Sequence, residues 1–273
     1  MSMNSFHARQ KKPRPAAQPA HERPAGMLRA DALLVAQNLA PSRTAAQGLI
    51  KEGRVSWGGG VISKPALELP EATPLTVAAD ATARFVSRGG LKLAGALAQT
   101  GLVVGGKVCL DIGQSTGGFT DCLLQAGARH VVGVDVGHDQ LHPQLRRDPA
   151  VTAIEGINCR AVDRADLGTA FPPGGFDLIV GDVSFISLTL VLPQLPALLA
   201  DGGNLLMLAK PQFEVGPGHI GKGGIVRDPA LYQDVEAKLR QCAATLGLTV
   251  RGWLDSPITG GDGNREFFIW LKK

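Results

Sequence analysis

The sequence predicts an α/β protein built on a mostly parallel sheet wrapped by helices, preceded by a small α+β domain. Three observations carry this reading. Short apolar runs alternate with helical segments from residue 87 to the end, a glycine-rich turn follows the first of those runs, and a helix–turn–helix and hairpin pattern occupies residues 27–86. The strand candidates of the larger part are residues 107–112, 130–136, 151–155, 176–181, 204–209, 248–254 and 267–271. Such alternation places helices on both faces of a parallel sheet and binding residues at the carboxyl ends of its strands.

Before these elements comes a segment of different composition. Residues 1–26 mix Pro, Ala, Arg, Lys and His without hydrophobic periodicity, which predicts a disordered basic arm. Its five basic side chains, Arg9, Lys11, Lys12, Arg14 and Arg23, against Glu22 account for the whole net charge of +4. Residues 27–273 are therefore balanced, and nucleic-acid binding by the folded part requires a local basic patch. The arm itself adds at most a weak, salt-sensitive attraction to phosphates.

Several classes are disfavoured. Cys109, Cys122, Cys159 and Cys242 show no Cys-x-x-Cys spacing, so neither a zinc site nor a disulfide framework is suggested, and a reducing cytoplasm fits. The richest apolar stretch, residues 188–200, is short and interrupted by Pro193 and Pro196, so no membrane span is expected. The first residues lack the apolar core of a secretory signal, and their prolines argue against an amphipathic presequence helix.

In the small domain, Leu28, Ala32, Leu33, Val35 and Ala36 suit one face of a short helix ending before Pro41. Ser42 caps a second helix over residues 43–51, whose Ala46, Leu49 and Ile50 face a core and which closes at Gly53. Val55, Ser56 and Trp57, then three glycines and Val61-Ile62, read as a hairpin, with a further strand over residues 75–77. Arg43, Gln47 and Lys51, four apart, share a helix face with Arg54 just beyond it, forming a compact basic edge. This arrangement resembles the RNA-binding domain named after small-subunit ribosomal protein four, and the resemblance implies RNA contact by Arg43, Lys51 and Arg54.

In the larger part, the first strand runs into Asp111-Ile112-Gly113-Gln114-Ser115-Thr116-Gly117-Gly118-Phe119-Thr120 and then a helical stretch. Glycines in a strand-to-helix turn permit close backbone approach to a cofactor. A dinucleotide site would prefer G-x-G-x-x-G facing a pyrophosphate, whereas this loop reads D-x-G-x-x-x-G-G. An acid opening the loop suits the cationic methionine part of S-adenosylmethionine, which has no phosphate. Asp135, ending the next strand, suits ribose hydroxyls in either cofactor, and Asn158 is a weaker candidate for adenine or ribose contact. Gln114 has no evident role. Asp182 and Lys210 end two apolar strands at the same edge, opposite charges beside the cofactor loop.

Six segments occur in order: Ser87-Arg88-Gly89-Gly90-Leu91-Lys92-Leu93, the glycine-rich loop, Gly181-Asp182-Val183-Ser184-Phe185-Ile186-Ser187, Lys210-Pro211-Gln212-Phe213-Glu214, Gly221-Lys222-Gly223-Gly224-Ile225-Val226-Arg227-Asp228 and Gly263-Asn264-Arg265-Glu266-Phe267-Phe268. Together they resemble the TlyA, or hemolysin A, family, whose catalytic domain is similar to FtsJ-type ribose methyltransferases. The resemblance spans residues 27–273. It implies a Rossmann-like methyltransferase domain over residues 87–273, S-adenosylmethionine as cofactor, and ribosomal RNA, within ribosomal subunits, as substrate. It implies no membrane and no obligate protein partner. The family's Lys-Asp-Lys-Glu catalytic tetrad falls on Lys92, Asp182, Lys210 and Glu266. Two positions depart from the family pattern: Phe85 stands where Tyr is common, and Gln114 where a small residue is common.

A ribose hydroxyl is a poor nucleophile at neutral pH and has to be held in line with the methyl group while its proton is removed. Lys210 is the candidate for that assistance, either taking the proton or stabilising a developing alkoxide as a cation, and the sequence leaves both open. Asp182 also reaches the cofactor side, with Gly113, Ser115, Thr116, Gly117, Gly118 and Phe119. Arg88, Lys222 and Arg227 are candidates for phosphate contact. Residues 216–224 read as a mobile loop or a plain surface loop. Two other readings stand beside this one: a noncatalytic RNA-binding or ribosome-assembly factor, and a membrane-active cytolysin.

Overall fold

The computed structural model describes residues 26–51, 53–58, 60–78, 84–221 and 223–273. Apart from Gly26, the predicted basic arm lies outside the described residues, as do Lys222 and the side chain of Lys51. The chain divides into two compact units, Met1–Ala79 and Asp80–Lys273.

In the first unit, β1 (Met27–Arg29) leads into α1 (Ala30–Ala36), followed by α2 (Arg43–Lys51), β2 (Val55–Trp57), β3 (Gly60–Val61), β4 (Glu68–Pro70) and β5 (Thr76–Val77). β1 pairs antiparallel with β4, and β2 lies between β3 and β5. Ser42 Oγ accepts the Ala45 N–H at 3.2 Å, the cap expected for α2. Ala46 and Ile50 then join Leu33, Leu34, Val55 and Ile62 in the core. The single helical face expected through Leu28, Ala32, Leu33, Val35 and Ala36 is corrected. Leu28 is taken into β1 by its pairing with Leu69, and α1 buries Ala30, Leu33 and Leu34 while Ala36 is exposed.

The second unit contains α3 (Gly89–Thr100), β6 (Val108–Ile112), α4 (Gly118–Gln125), β7 (His130–Asp135), α5 (Pro143–Arg146), β8 (Val151–Glu155), α6 (Arg164–Leu167), β9 (Phe176–Gly181), β10 (Leu199–Ala209), α7 (Pro211–Glu214), α8 (Pro229–Thr245), β11 (Thr249–Asp255) and β12 (Phe267–Lys272). Among the described residues its sheet has seven strands in the order β11-β12-β10-β9-β6-β7-β8. All neighbouring pairs from β10 to β8 are parallel, and β12 runs antiparallel to both β10 and β11. Every predicted strand is present. β10 starts at Leu199, five residues earlier than expected, because a register shift accommodates Gly202 and Gly203 between Leu199 and Asn204.

Alternation along the strands divides the core into two layers. Leu110, Ile179, Leu205 and Met207 meet α8 through Val235, Leu239 and Ala243 on one face. Cys109, Leu178, Val180, Leu206 and Leu208 meet α3 and α4 through Leu93, Ala96, Phe119 and Leu123 on the other. Phe85 packs into this second layer, and the Val86 N–H donates to Asp121 Oδ2 at 2.8 Å. Both residues therefore belong with the second unit, whereas the sequence reading ends the smaller domain at residue 86. Gly90 is required there, since a Cβ would overlap the Phe85 ring.

Candidate active site

The parallel strands β6, β7, β9 and β10 end on one edge of the sheet, and the reversed β12 begins on it. The pairing of Ala209 with Phe267 therefore brings Lys210, just past β10, opposite Glu266, just before β12. Asp182 follows β9 directly, and Lys92 comes from the first turn of α3. Lys92 Nζ lies 2.7 Å from Glu266 Oε2 and 3.6 Å from Asp182 Oδ2. Lys210 Nζ lies 2.7 Å from Asp182 Oδ1 and donates to Ser184 Oγ at 2.6 Å. The predicted tetrad is thus one chain of alternating charge, Glu266–Lys92–Asp182–Lys210. Both lysines are only 8% exposed. Burial pushes the Glu266 carboxyl above its ordinary range, opposed by the Lys92 ammonium. Charges held out of water cost solvation that folding alone does not need, which points to a chemical use.

Three cavities meet at this edge. The first, about 270 Å³, is lined by Arg88, Lys92, Gly113, Gln114, Ser115, Thr116, Gly118, Phe119, Asp182 and Lys210. The second, about 500 Å³, is lined by Gly113, Ser115, Asp135, Asn158, Cys159 and Asp182. The third, about 400 Å³, is lined by Lys92, Lys210, Glu266, Phe185, Gln212, Phe213 and Asp262. Gly113, at φ +81°, could carry no side chain, because a Cβ would lie 2.8 Å from the Asp182 carbonyl oxygen. Asp135 Oδ2 accepts the Ser115 N–H at 2.8 Å, and its Oδ1 accepts the Gly137 N–H at 2.7 Å, fixing the carboxylate at the rim of the second cavity.

Two expected cofactor contacts sit elsewhere. Asp111, expected to face a cation directly, is fully buried and lines none of these cavities. Its Oδ2 accepts the Thr120 hydroxyl at 2.7 Å, and burial pushes its carboxyl up to about 7. Gly117 faces Leu141 and Leu145 and serves as the left-handed N-cap of α4, at φ +93°, a role in packing.

The expected RNA contacts are spread over both units. In the first, Arg43 Nη2 and Gln47 Nε2 both donate to Asp31 Oδ2, at 3.0 and 2.8 Å, and Arg29 forks onto the same carboxylate. The Arg29 hydrogen bond is the largest influence holding Asp31 well below the usual carboxylate range. The basic edge is therefore partly an internal ion cluster, although the Arg43 side chain remains 58% exposed. The Arg54 guanidinium donates to the Ala78 carbonyl. In the second unit, Arg88 and Arg227 are exposed, and Arg88 also walls the first cavity.

Some residues of the site were not singled out in the sequence. Phe185 is 90% exposed at φ +62°, a conformation that is costly for an aromatic residue, and its ring lies 5.1 Å from that of Phe213. Glu214, buried, accepts Ser187 Oγ and the Leu188 N–H at 2.6 Å each and Lys238 Nζ at 2.9 Å, tying the turns after β9 and β10 to α8. Asn264 holds the segment after α7 through the Gly224 carbonyl and the Val226 N–H, both at 2.9 Å.

A mostly parallel seven-stranded sheet with a reversed penultimate strand, a glycine-rich turn after β6 and charged residues at the strand ends defines a Rossmann-like methyltransferase. Residues 85–273 match the FtsJ-like methyltransferase family, and residues 28–72 match the S4 domain. The chain belongs to the TlyA family of FtsJ-like methyltransferases. It is 44% identical over 244 residues to the 16S/23S rRNA (cytidine-2'-O)-methyltransferase TlyA of Mycobacterium tuberculosis, covering 89% of each chain. It is 36% identical over 240 residues to the protein named Hemolysin A from Brachyspira hyodysenteriae, covering 88% of this chain and 98% of the other. A solved structure from Streptococcus thermophilus, provisionally named a hemolysin, superposes with a TM-score of 0.69 at 41% identity, covering 91% of this chain and 89% of that one.

Proposed function

We propose that this protein transfers a methyl group from S-adenosylmethionine to a ribose 2′-hydroxyl of ribosomal RNA, on cytoplasmic ribosomal subunits. The observation that carries the reading is the Glu266–Lys92–Asp182–Lys210 chain, buried but for the half-buried Asp182, beside the glycine-rich turn. The family membership and the relatives named as rRNA (cytidine-2'-O)-methyltransferases support the substrate and suggest a cytidine ribose. In this reading the first unit, together with Arg88 and Arg227 of the second, helps seat RNA, and the second unit carries the chemistry.

The residues fit the cofactor. Gly113 and Gly118 line the first cavity, held there by close packing on the Asp182 carbonyl and on Ser87 and Gly90, the Asp135 carboxylate suits ribose hydroxyls, and Asn158 stands beside it on the second cavity. When bound, S-adenosylmethionine supplies an electrophilic methyl group. Lys210, held by Asp182 and Ser184, faces the attacking hydroxyl and offsets the negative charge that develops on its oxygen. Glu266 fixes Lys92 and leaves its ammonium within reach of Asp182, so that the Asp182 carboxylate stays in register between the two cations. Phe185 and Phe213 form an aromatic wall on which a base can stack.

Transfer of labelled methyl to small- and large-subunit ribosomal RNA, by wild type beside Lys210→Ala, tests this. Label on either RNA that is lost in the variant supports the enzyme and the site; no label on naked RNA or on whole subunits would favour a noncatalytic assembly factor. The hemolysin name borne by two of these relatives suggests membrane activity, but among the described residues no helix is long and apolar enough to cross a membrane.

A further inference from the structure

Gln114 has no evident role in the sequence, and the structure gives it a defined place. The residue is 95% buried, and its side chain runs under the turn, where it crosses the middle of β7 at Gly133. A Cβ at position 133 would overlap the Gln114 carboxamide, so a glycine that weakens a central strand leaves room for this glutamine. Gln114 Nε2 donates to Thr120 Oγ1 at 2.9 Å, and Thr120 Oγ1 donates to Asp111 Oδ2 at 2.7 Å. The other end of the carboxamide, Oε1, has no protein donor among the described residues. Unlike Asp111 Oδ1, it is not a sealed atom, and Gln114 lines the first cavity.

The direction of the chain follows from counting hydrogens. The Thr120 hydroxyl has one proton and gives it to the ionised Asp111, so it can only accept from Gln114; the amide must then turn its oxygen toward the cavity. We infer that Gln114 Oε1 receives the ammonium group of the amino-acid end of S-adenosylmethionine, with Thr120 and Asp111 orienting it from beneath. This inference rests on the methyltransferase reading of the site. It moves the contact expected of Asp111 one layer outward: the buried carboxylate sets the polarity of the relay and the amide makes the contact.

A consequence is coupling to protonation. With Asp111 protonated the chain can reverse: Asp111 donates to Thr120, Thr120 donates to Gln114 Oε1, and the amide presents N–H groups that repel a cation. The titration of Asp111 near 7 places this reversal in the physiological range. Asp182 and Asp135 also face this region and oppose ionisation of Asp111, and Lys92 and Lys210 border the same cavity.

The test is calorimetric binding at pH 8 of S-adenosylmethionine, S-adenosylhomocysteine and 5′-methylthioadenosine, which lacks the amino-acid end, to the full chain and to Gln114→Met. Methionine keeps the apolar bulk over Gly133 and removes the acceptor. The expected result is about 10-fold weaker binding of the two ammonium-bearing ligands, a charge-assisted hydrogen bond being lost, with 5′-methylthioadenosine unchanged. Thr120→Val should shift binding the same way, and the wild type should bind S-adenosylmethionine more weakly at pH 6 than at pH 8 while Gln114→Met does not. Equal loss for all three ligands, or no loss for any, would overturn the assignment while leaving the methyltransferase reading in place. Failure of the wild type to bind S-adenosylmethionine at all would overturn both.

Discussion

Replacing Asp111 with Asn should flatten the pH dependence of stability of the larger unit. Asp111 is fully buried, its Oδ1 has no hydrogen-bond partner among the described residues, and its carboxyl titrates at about 7 where an exposed one titrates at 3.8. Burial is the main cause, and Asp182 and Asp135 add to it. Because the folded pKa is raised, the native state keeps a proton that the unfolded chain has released between about pH 4 and pH 7. Stability is therefore lost as pH rises through that window. A displacement of this size corresponds to about 4 kcal/mol, an upper bound because water entry and relaxation soften buried charges. Urea unfolding followed by fluorescence would measure it, since Trp253 and Trp270 both lie in the larger unit. The wild type minus Asp111→Asn difference should shift against the wild type by several kcal/mol from pH 4 to pH 8. A difference constant to within about 1 kcal/mol across that range would refute a buried, neutralisable Asp111.

Other consequences follow from the site. Lys210→Met should lower kcat by a factor of about 100 or more while changing the dissociation constant of S-adenosylmethionine little, as single-turnover kinetics and equilibrium dialysis would show. Phe185→Ala, at a side chain 90% exposed, should leave the melting temperature unchanged and raise KM for RNA about 10-fold, which titration with ribosomal RNA would read. Glu214→Ala strips the partners of Ser187, Leu188 N–H and Lys238 and should cost about 3 kcal/mol in urea unfolding; an unchanged midpoint would remove Glu214 as the tie between the two turns.

Much of the fold is legible because parallel strands buried on both faces must be apolar along their length, and β6, β9 and β10 stand out as such runs ended by a charged residue or its turn. The cap of α2 is equally local, a serine placed three residues before the amide it receives. What escaped depends on distant partners. β1 exists because Leu28 meets Leu69, and Asp31 becomes an anchor because Arg43 and Gln47 arrive from another helix. The depth of Asp111 is set by Thr120 on the following helix, so a carboxylate that opens a loop, and reads as a ligand contact, ends beneath it. The clustering of Lys92, Asp182, Lys210 and Glu266 was anticipated through family resemblance, whereas the strained backbone that turns Phe185 outward shows only in three dimensions.

The most direct test of the central claim is where the methyl group ends. Ribosomal RNA labelled by the wild type from S-adenosylmethionine should be digested to nucleosides and the labelled nucleoside fragmented by mass spectrometry. The added methyl should remain with the ribose, and the adjacent phosphodiester should resist alkaline hydrolysis. A methyl retained on the base, with the neighbouring linkage still alkali-labile, would contradict a site built to activate a ribose hydroxyl.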